Sequence, residues 1–243
     1  MSFISYYYSD KIVLSMSGAK PATRQTHREL YSIVENLSIA SGNPMPKIYT
    51  IQDNGMNAFA TGRDPKHAAI AATEGLLGSL RKVELEGVIA HELSHIKNYD
   101  TRLMSVVSIV AGSLAILSDF FFRSLLWGGG DDDRRGSNPV FLLLGVAAAI
   151  LAPIAATIIQ LAISRRREFL ADADGALLTR FPDGLADALE KISKNSSVKN
   201  ASNATAHMYI SNPFKKGQSG AFVSNLFSTH PPAAERIRLL REM

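Results

Sequence analysis

The chain has no cysteine, which excludes a disulfide framework, a thiolate zinc site, a cysteine nucleophile and an iron–sulfur cluster held by thiolates. Any metal ion must therefore rest on histidine and carboxylate. Nor is there much excess of one charge: Lys and Arg number 26 against 22 Asp and Glu, a surplus too small and too dispersed to mark nucleic acid as a partner. The first residues hold no long apolar run followed by a cleavage site, so no signal peptide is expected. No internal repeat is evident. At 243 residues the chain fits one domain or two small ones, long enough to bury a core without staples.

What is present is hydrocarbon, unevenly spread. From Val140 to Ile163 the sequence "VFLLLGVAAAILAPIAATIIQLAI" carries no charge, and at about 1.5 Å per residue it spans a bilayer core of roughly 30 Å. Pro153 inside it would break a helix in water but is tolerated in a membrane. A second stretch, Leu103 to Trp127, is uncharged up to Ser118 and then contains Asp119 and Arg123, four apart and able to pair. Between the two lies a polar turn, "GGGDDDRRGSNP". The expectation is a transmembrane hairpin with spans over 103–127 and 140–163. Lys97 and Arg102 precede it and Arg165, Arg166 and Arg167 follow it, whereas the turn offsets two arginines with three aspartates. By the positive-inside rule the two flanking segments face the cytoplasm.

The flanking segments read as one α+β domain, mainly α with a small β-sheet, interrupted by the hairpin: residues 1–102 before it and 164–243 after it. Leu30, Ile33, Val34, Leu37 and Ala40 share one helical face ahead of Gly42 and Pro44. Three short strands are expected at Lys47–Ile51, Asn57–Gly62 and His67–Thr73. Leu85, Val88, Ile89, Leu93 and Ile96 then mark the buried stripe of another helix. Beyond the hairpin, Arg165–Thr179 reads as helix, Pro182 opens a further one to about Lys194, and "HPPAAERIRLLREM" closes the chain as a short helix started by prolines. Residues 195–206 are polar and read as a mobile segment, a candidate lid.

The helix with the stripe at Leu85–Ile96 carries His91-Glu92-Leu93-Ser94-His95. Side chains four apart on a helix lie one above the other, so two imidazoles can hold one ion between them. Glu92, one position on from the first histidine, projects beside that ion, where a carboxylate takes a proton from water as it attacks a peptide carbonyl and returns it to the leaving amine. Two surface histidines of no consequence are the alternative. Against it, the pattern sits in phase on a helix whose opposite residues are apolar, just before an apolar span.

A catalytic zinc needs a third protein ligand and an open position. Glu74, Asp100, Glu168, Asp172 and Asp174 all qualify by type, and spacing does not choose among them. If the helices continue unbroken, Glu168 lies about 7 Å past the second span and His95 about 12 Å before the first, so Glu168 qualifies, although spacing alone makes a solvated helix face after three arginines an equal reading of Glu168 and Asp172. Asp172, one turn on, is placed to accept a hydrogen bond from a ligand imidazole.

With HELSH, the hairpin and "REFLADADGA" together, the sequence resembles the HtpX-type membrane zinc metalloproteases, relatives of the CAAX prenyl proteases. The resemblance runs from "SDKIVLSMSGAKP" through "NAFATG" to "THPPAAERI". It implies a gluzincin holding one Zn2+ per subunit on His91, His95 and Glu168, with Glu92 as base and Asp172 behind a ligand. It further implies that "NAFATG" is an edge strand pairing with substrate at Asn57 and Ala58, and that His230 and Arg236 of the His-Pro-x-x-x-x-Arg pattern approach the cleft, Arg236 bracing the site or the oxyanion. His27, His67 and His207 have no partner pattern and read as structural. Members of the family usually begin with two further hydrophobic spans. This chain starts where those would end, and a truncated form, or a short one anchored by the hairpin alone, is expected.

The functional expectation is a multi-pass zinc endopeptidase of the cell's inner (cytoplasmic) membrane, in contact with the bilayer, whose catalytic domain faces the cytoplasm and cleaves misfolded or damaged membrane proteins. Two alternatives are a processing protease for a specific peptide or lipid-modified tail, and a membrane adaptor with a structural zinc. Glu92 speaks against the adaptor, since a structural site has no use for that carboxylate.

Overall fold

The structure, a computed structural model, describes residues 9–127, 139–199, 209–211, 213 and 230–243. The polar turn, His207 and most of the 195–206 segment lie outside them. In chain order the elements are α1 (Ser9–Met16), β1 (Ala19–Pro21), α2 (Arg28–Ser41), β2 (Lys47–Ile51), β3 (Ala58–Gly62), a 3-10 turn (Pro65–His67), β4 (Ala68–Thr73), α3 (Glu74–Ser79), α4 (Lys82–Lys97), α5 (Asp100–Trp127), α6 (Pro139–Thr179), α7 (Pro182–Ile192) and α8 (Ala233–Arg241). The protein is mostly helical with one small mixed sheet. It divides into two compact units, one of residues 1–102 with 165–243, the other of Leu103–Ser164.

In the first unit the strands run in the order β1-β2-β4-β3. β1 and β2 are antiparallel, β2 and β4 parallel, β4 and β3 antiparallel with Ala58 opposite Ala72 and Ala60 opposite Ile70. The three expected strands are present. β1 carries no apolar alternation, only Ala-Lys-Pro, and joins the sheet at its exposed margin, which is why its sequence is silent. Both sheet faces are covered. Ala58, Ala60, Ile70 and Ala72 pack into the main core with α2, α4 and α7, while Phe59, Ala69 and Ala71 pack on the other face with Leu14, Val198 and Tyr209. Small residues in β4, buried at every position, let both layers approach closely.

Helix α2 buries Leu30, Ile33, Val34, Leu37 and Ser38 and stops at Gly42, whose φ of 71° is the left-handed cap only glycine takes freely. Ala40, expected on that face, is exposed: after Leu37 the apolar stripe drifts, and Ser38 turns inward one turn beyond Val34.

Helix α4 departs most from its reading as one-sided. Leu85, Val88, Ile89, Leu93 and Ile96 are buried as expected, yet Glu84, Gly87, Ala90, His91, Glu92 and Ser94 are buried too. It is enclosed by α2, α7 and β3. Gly87 permits this, since a Cβ there would stand 2.7 Å from the backbone nitrogen of Leu185 in α7. The buried Glu84 carboxylate caps the helix start, accepting from the Arg81 amide (2.7 Å) and from the Lys191 ammonium (2.7 Å).

The second unit is described by its own helices. α5 and α6 show contiguous apolar side chains to the outside, among them Ile116, Leu117 and Phe120 on α5, and Leu151, Ile154 and Ile158 on α6. Asp119 and Arg123 pair at 2.7 Å across one turn. Among the described residues one helix, Ala149–Thr179, is long and apolar enough to cross a membrane, and its apolar part is not buried within the protein. The expected helix at Arg165–Thr179 is continuous with the apolar run through Pro153, because no glycine or proline separates Ile163 from Arg165.

Candidate metal centre and active site

The site is built where α4 meets the second half of α6 in the first unit. Gly175 brings the two together: a Cβ there would stand 3.1 Å from the His91 backbone nitrogen. One and two turns before Gly175, Asp172 and Glu168 are thereby carried onto the face of α4 that bears the histidines. The Nε2 atoms of His91 and His95 lie 3.1 Å apart. Glu168 closes the group, its Oε2 3.8 Å from His91 Nε2 and its Oε1 3.4 Å from His95 Nε2. These ligand atoms all fall within 4.8 Å of one another.

The other ring nitrogens are already committed. His91 Nδ1 faces Asp172 at 2.9 Å and His95 Nδ1 faces Asp100 at 2.7 Å. Each carboxylate accepts an Nδ1 proton, which turns both Nε2 lone pairs toward the same point. Two lone pairs 3.1 Å apart repel unless a proton or a metal ion stands between them, so the chemistry of the donor set fits a cation. Burial alone would lower His95, but hydrogen bonds to Asp100 and Glu168 with the charges of Glu168 and Glu92 push it up to about 10. Burial and the neighbouring positive charges of His95 and Arg236 hold His91 down.

The five carboxylates that spacing left open are thus sorted by their contacts. Glu168 joins the histidines. Asp172 and Asp100 stand behind His91 and His95. Asp174 accepts from Asn98 at 2.6 Å, and Glu74 faces His27 at 3.0 Å, away from the site. His67 pairs with Asp64. Asp100 was legible only as a possible ligand, because on an unbroken helix a residue five past His95 points elsewhere. Tyr99, at φ 56°, ends α4 with a left-handed turn that swings Asp100 back onto His95. Arg167 then holds Asp100 from the other side and donates to the Asn98 carbonyl at 3.2 Å. Neither the turn at Tyr99 nor the role of Arg167 has a local sequence signal.

Glu92 is 1% exposed and bonded by the Ala60 backbone N–H of β3; burial pushes its carboxyl up to about 7, opposed by the charge of His95. A carboxyl poised there can take up and release a proton near neutrality. His230 approaches, its Nδ1 3.0 Å from Glu168. Arg236, 2% exposed, grips Asp172 with Nε and Nη2 at 2.7 and 2.6 Å and reaches Glu168 at 3.2 Å. Asp172, Glu168 and Glu92 keep it charged despite burial. Its fork is engaged by both carboxylates and by the Ile210 carbonyl at 3.2 Å.

Asn57 and Ala58 do not sit as expected. The Asn57 side chain is fully buried and donates to the carbonyls of Ser196 (3.0 Å) and Ser211 (2.9 Å). The Ala58 carbonyl accepts from Ile210 at 2.9 Å. Their polar groups serve the chain itself, so the margin of β3 they occupy is closed to substrate. Residues of an antiparallel strand alternate in the side to which both backbone groups point. Ala58 points away from β4, and Ala60 and Gly62 follow it. Likewise, the described end of the expected lid is tied down: Asn195 accepts from Met56 at 2.7 Å, Val198 donates to Pro213 at 3.0 Å and Lys199 to Asp53 at 2.9 Å.

Two histidines one turn apart on a buried helix, a glutamate between them and a carboxylate from a following helix define a metal-dependent peptidase. Comparison with known proteins agrees. The profile described as Peptidase family M48 matches residues 24–243, and the chain belongs to that family: it is a membrane metalloprotease, a peptide-bond hydrolase of the HtpX type. It is 49% identical over 245 residues to the "Protease HtpX homolog" of Dictyoglomus thermophilum, covering 99% of this chain and 78% of that one. It is 50% identical to the homolog of Caldanaerobacter subterraneus subsp. tengcongensis, covering 100% and 81%. In fold it is similar to the crystal structure of S. mikatae Ste24p, with a TM-score of 0.60 and 22% identity, over 98% of this chain and 57% of that one.

Proposed function

We propose that the chain is a zinc-dependent endopeptidase of the cytoplasmic membrane that cuts misfolded or damaged membrane proteins on their cytoplasmic side. The observation that carries the reading is the ligand geometry. Tetrahedral zinc with bonds of about 2.0–2.1 Å spaces its ligand atoms by about 3.3–3.4 Å, and the three spacings here are 3.1, 3.4 and 3.8 Å. His91, His95 and Glu168 are the ligands, with Asp172 and Asp100 setting the tautomers of the two imidazoles. A zinc ion bound there supplies Lewis acidity and lowers the pKa of a water towards about 7.

The remaining steps belong to the chain's own groups. The Glu92 carboxylate, held by the Ala60 N–H, accepts the proton of the attacking water as its oxygen bonds to the peptide carbon. The Glu92 carboxylic acid then delivers that proton to the amide nitrogen as the C–N bond breaks, which leaves Glu92 as it began. His230, beside Glu168, donates to the oxyanion that develops on the former carbonyl. An extended substrate adds to β3 antiparallel to the strand through the Ala60 carbonyl and the Gly62 backbone, the Ala60 N–H staying with Glu92, and this sets its scissile bond next to Glu92.

For the setting, helices α5 and α6 form a hairpin in the bilayer, and the basic residues Lys97, Arg102, Arg165 and Arg166 lie at its cytoplasmic ends. In this reading the substrates are the cytoplasmic segments of damaged membrane proteins. The test is hydrolysis of denatured casein and self-cleavage by detergent-purified protein loaded with zinc, against Glu92→Gln. Metal content should be equal in both, and hydrolysis should fall by roughly 10²–10⁴-fold in the variant. Equal hydrolysis in both proteins would refute Glu92 as the base. If neither cleaves while both hold zinc, a structural zinc in a membrane adaptor becomes the better reading.

A further inference from the structure

Asn57 is the strongest unexplained feature beside the site: a fully buried carboxamide immediately before β3, with every polar group in use. Its Nδ2 donates to Ser196 and Ser211 carbonyls at 3.0 and 2.9 Å, and its Oδ1 accepts from the Ser211 amide at 3.4 Å and the Ala58 amide at 3.2 Å. Its own backbone is fixed to Thr73, N to Oγ1 at 3.0 Å and O from the Thr73 amide at 3.0 Å. One side chain therefore ties residue 196 and residue 211, two distant points of the chain, to the sheet.

The tie continues to the metal centre. Ile210, next to Ser211, donates its amide to Ala58 and offers its carbonyl to Arg236 Nη1 at 3.2 Å. Arg236 in turn grips Asp172 and reaches Glu168, and Asp172 faces His91. The sequence of contacts runs unbroken from Asn57 through Ser211 and Ile210 to Arg236 and the two carboxylates. Tyr209, buried and packed edge-on against Phe59 with ring centroids 5.1 Å apart, anchors the same segment from the other face of the sheet.

A pseudosubstrate plug would also lie along β3 as Ile210 does, but a plug must leave for substrate to enter. Here departure would strip Arg236 of its third acceptor and expose a core tyrosine. A built-in brace fits the contacts; a removable plug does not.

We propose that Asn57 is a positioning residue of the protease: it holds the Ile210 carbonyl against Arg236 and thereby fixes the orientation of Glu168 and Asp172, while substrate pairing begins only at Ala60. This rests on the zinc peptidase reading above. A residue that merely contacts substrate would alter binding of substrate and leave the metal untouched. A residue that orients the ligand cage alters the metal. Loss of a partner behind a metal ligand typically weakens metal affinity by 10–100-fold.

The experiment uses the full chain in detergent and measures zinc affinity by competition with a chelator, together with kcat and KM on a quenched peptide, for Asn57→Ala, Asn57→Ser and Arg236→Lys, and for the double variant Asn57→Ser with Arg236→Lys. The expected result is a 10- to 100-fold weaker zinc affinity in each single variant, a fall in kcat with KM within about 2-fold, and a double variant little worse than the poorer single, because both act through one chain of contacts. Asn57→Ser keeps one donor and should retain a folded chain if Asn57→Ala does not. Unchanged zinc affinity with a raised KM, or fully additive losses, would overturn the proposal in favour of direct substrate contact. If the unaltered chain itself neither binds zinc nor cleaves, the peptidase reading has failed instead, and the two failures are told apart by that control.

Discussion

Helix α4 and the apolar part of α6 invert each other. On α4, Glu84, His91 and Glu92 are ionisable and are 0, 0 and 1% exposed. On α6, Leu151, Ile154 and Ile158 are hydrocarbon and are 61, 51 and 59% exposed. In water both choices are unfavourable: buried charge costs several kcal/mol unless paired, and exposed aliphatic surface costs about 25 cal/mol per Å2. The difference is the one expected of a membrane protein, in which polar groups are paired inside and an apolar helix face is turned outward. The first unit buries Glu84, Asp172, Glu168 and Arg236 in ion pairs with one another or with Arg81 and Lys191, whereas the second unit turns hydrocarbon outward.

The network side of that comparison breaks most severely at Arg236. Arg236→Ala leaves Asp172 and Glu168 facing each other in the core without their shared cation, and should lower unfolding stability by about 3–5 kcal/mol, read by thermal or denaturant melts in detergent; a loss under about 1 kcal/mol would mean that the carboxylates find other partners. Next in size is the hydrocarbon side. Ile154→Asp in the middle of the exposed apolar run should cost about 2.5–3.5 kcal/mol of membrane insertion and move a substantial part of the protein from the carbonate-resistant to the extractable fraction. No redistribution would mean that this face packs on protein.

A smaller effect is expected at Glu84, where burial would raise the carboxyl but hydrogen bonds from Lys191 and Arg81 pull it below its ordinary value. Glu84→Gln should therefore cost about 1–3 kcal/mol near neutrality. Because the folded pKa is the depressed one, this stabilisation is complete above the unfolded value of 4.5 and is lost as the pH falls through the folded value. The difference between the two proteins should accordingly shrink on acidification, and a difference that grows would reverse the assigned sign. Smallest is Arg123→Ala. Its pair with Asp119 is a solvent-type i,i+4 bridge, both side chains mostly exposed, worth about 0.3–0.5 kcal/mol in water. A much larger loss would place that turn of α5 in a less polar medium than water, and so extend the hydrocarbon side of the comparison.

Much of this was legible in one dimension because it depends on local periodicity. The spacing of His91 and His95, the stripe through Leu85 and Ile96, the strand at Lys47–Ile51 and the uncharged run after Val140 all follow from the repeat of helix or strand and the chemistry of the side chains. These relations hold within a few turns of chain, and no distant residue is needed to state them. Asp100, Arg167 and Asn57 were not legible in their roles. Asp100 reaches His95 only through the left-handed turn at Tyr99. Arg167 looks like one of three like charges until the fold turns it onto Asp100. Asn57 sits in a motif that suggests substrate contact, and its partners at 196 and 211 lie more than half the chain away. Sequence by itself determined the apolar runs, most of the regular elements and the metal-binding spacing on α4, because those are properties of neighbouring residues. Only the tertiary structure decided which carboxylate stands behind which imidazole and which stretch of β3 the Ile210 segment covers, because those depend on groups brought together from α4, α5, α6, α8 and the segment around Ile210, whose separations in sequence carry no information about their separations in space.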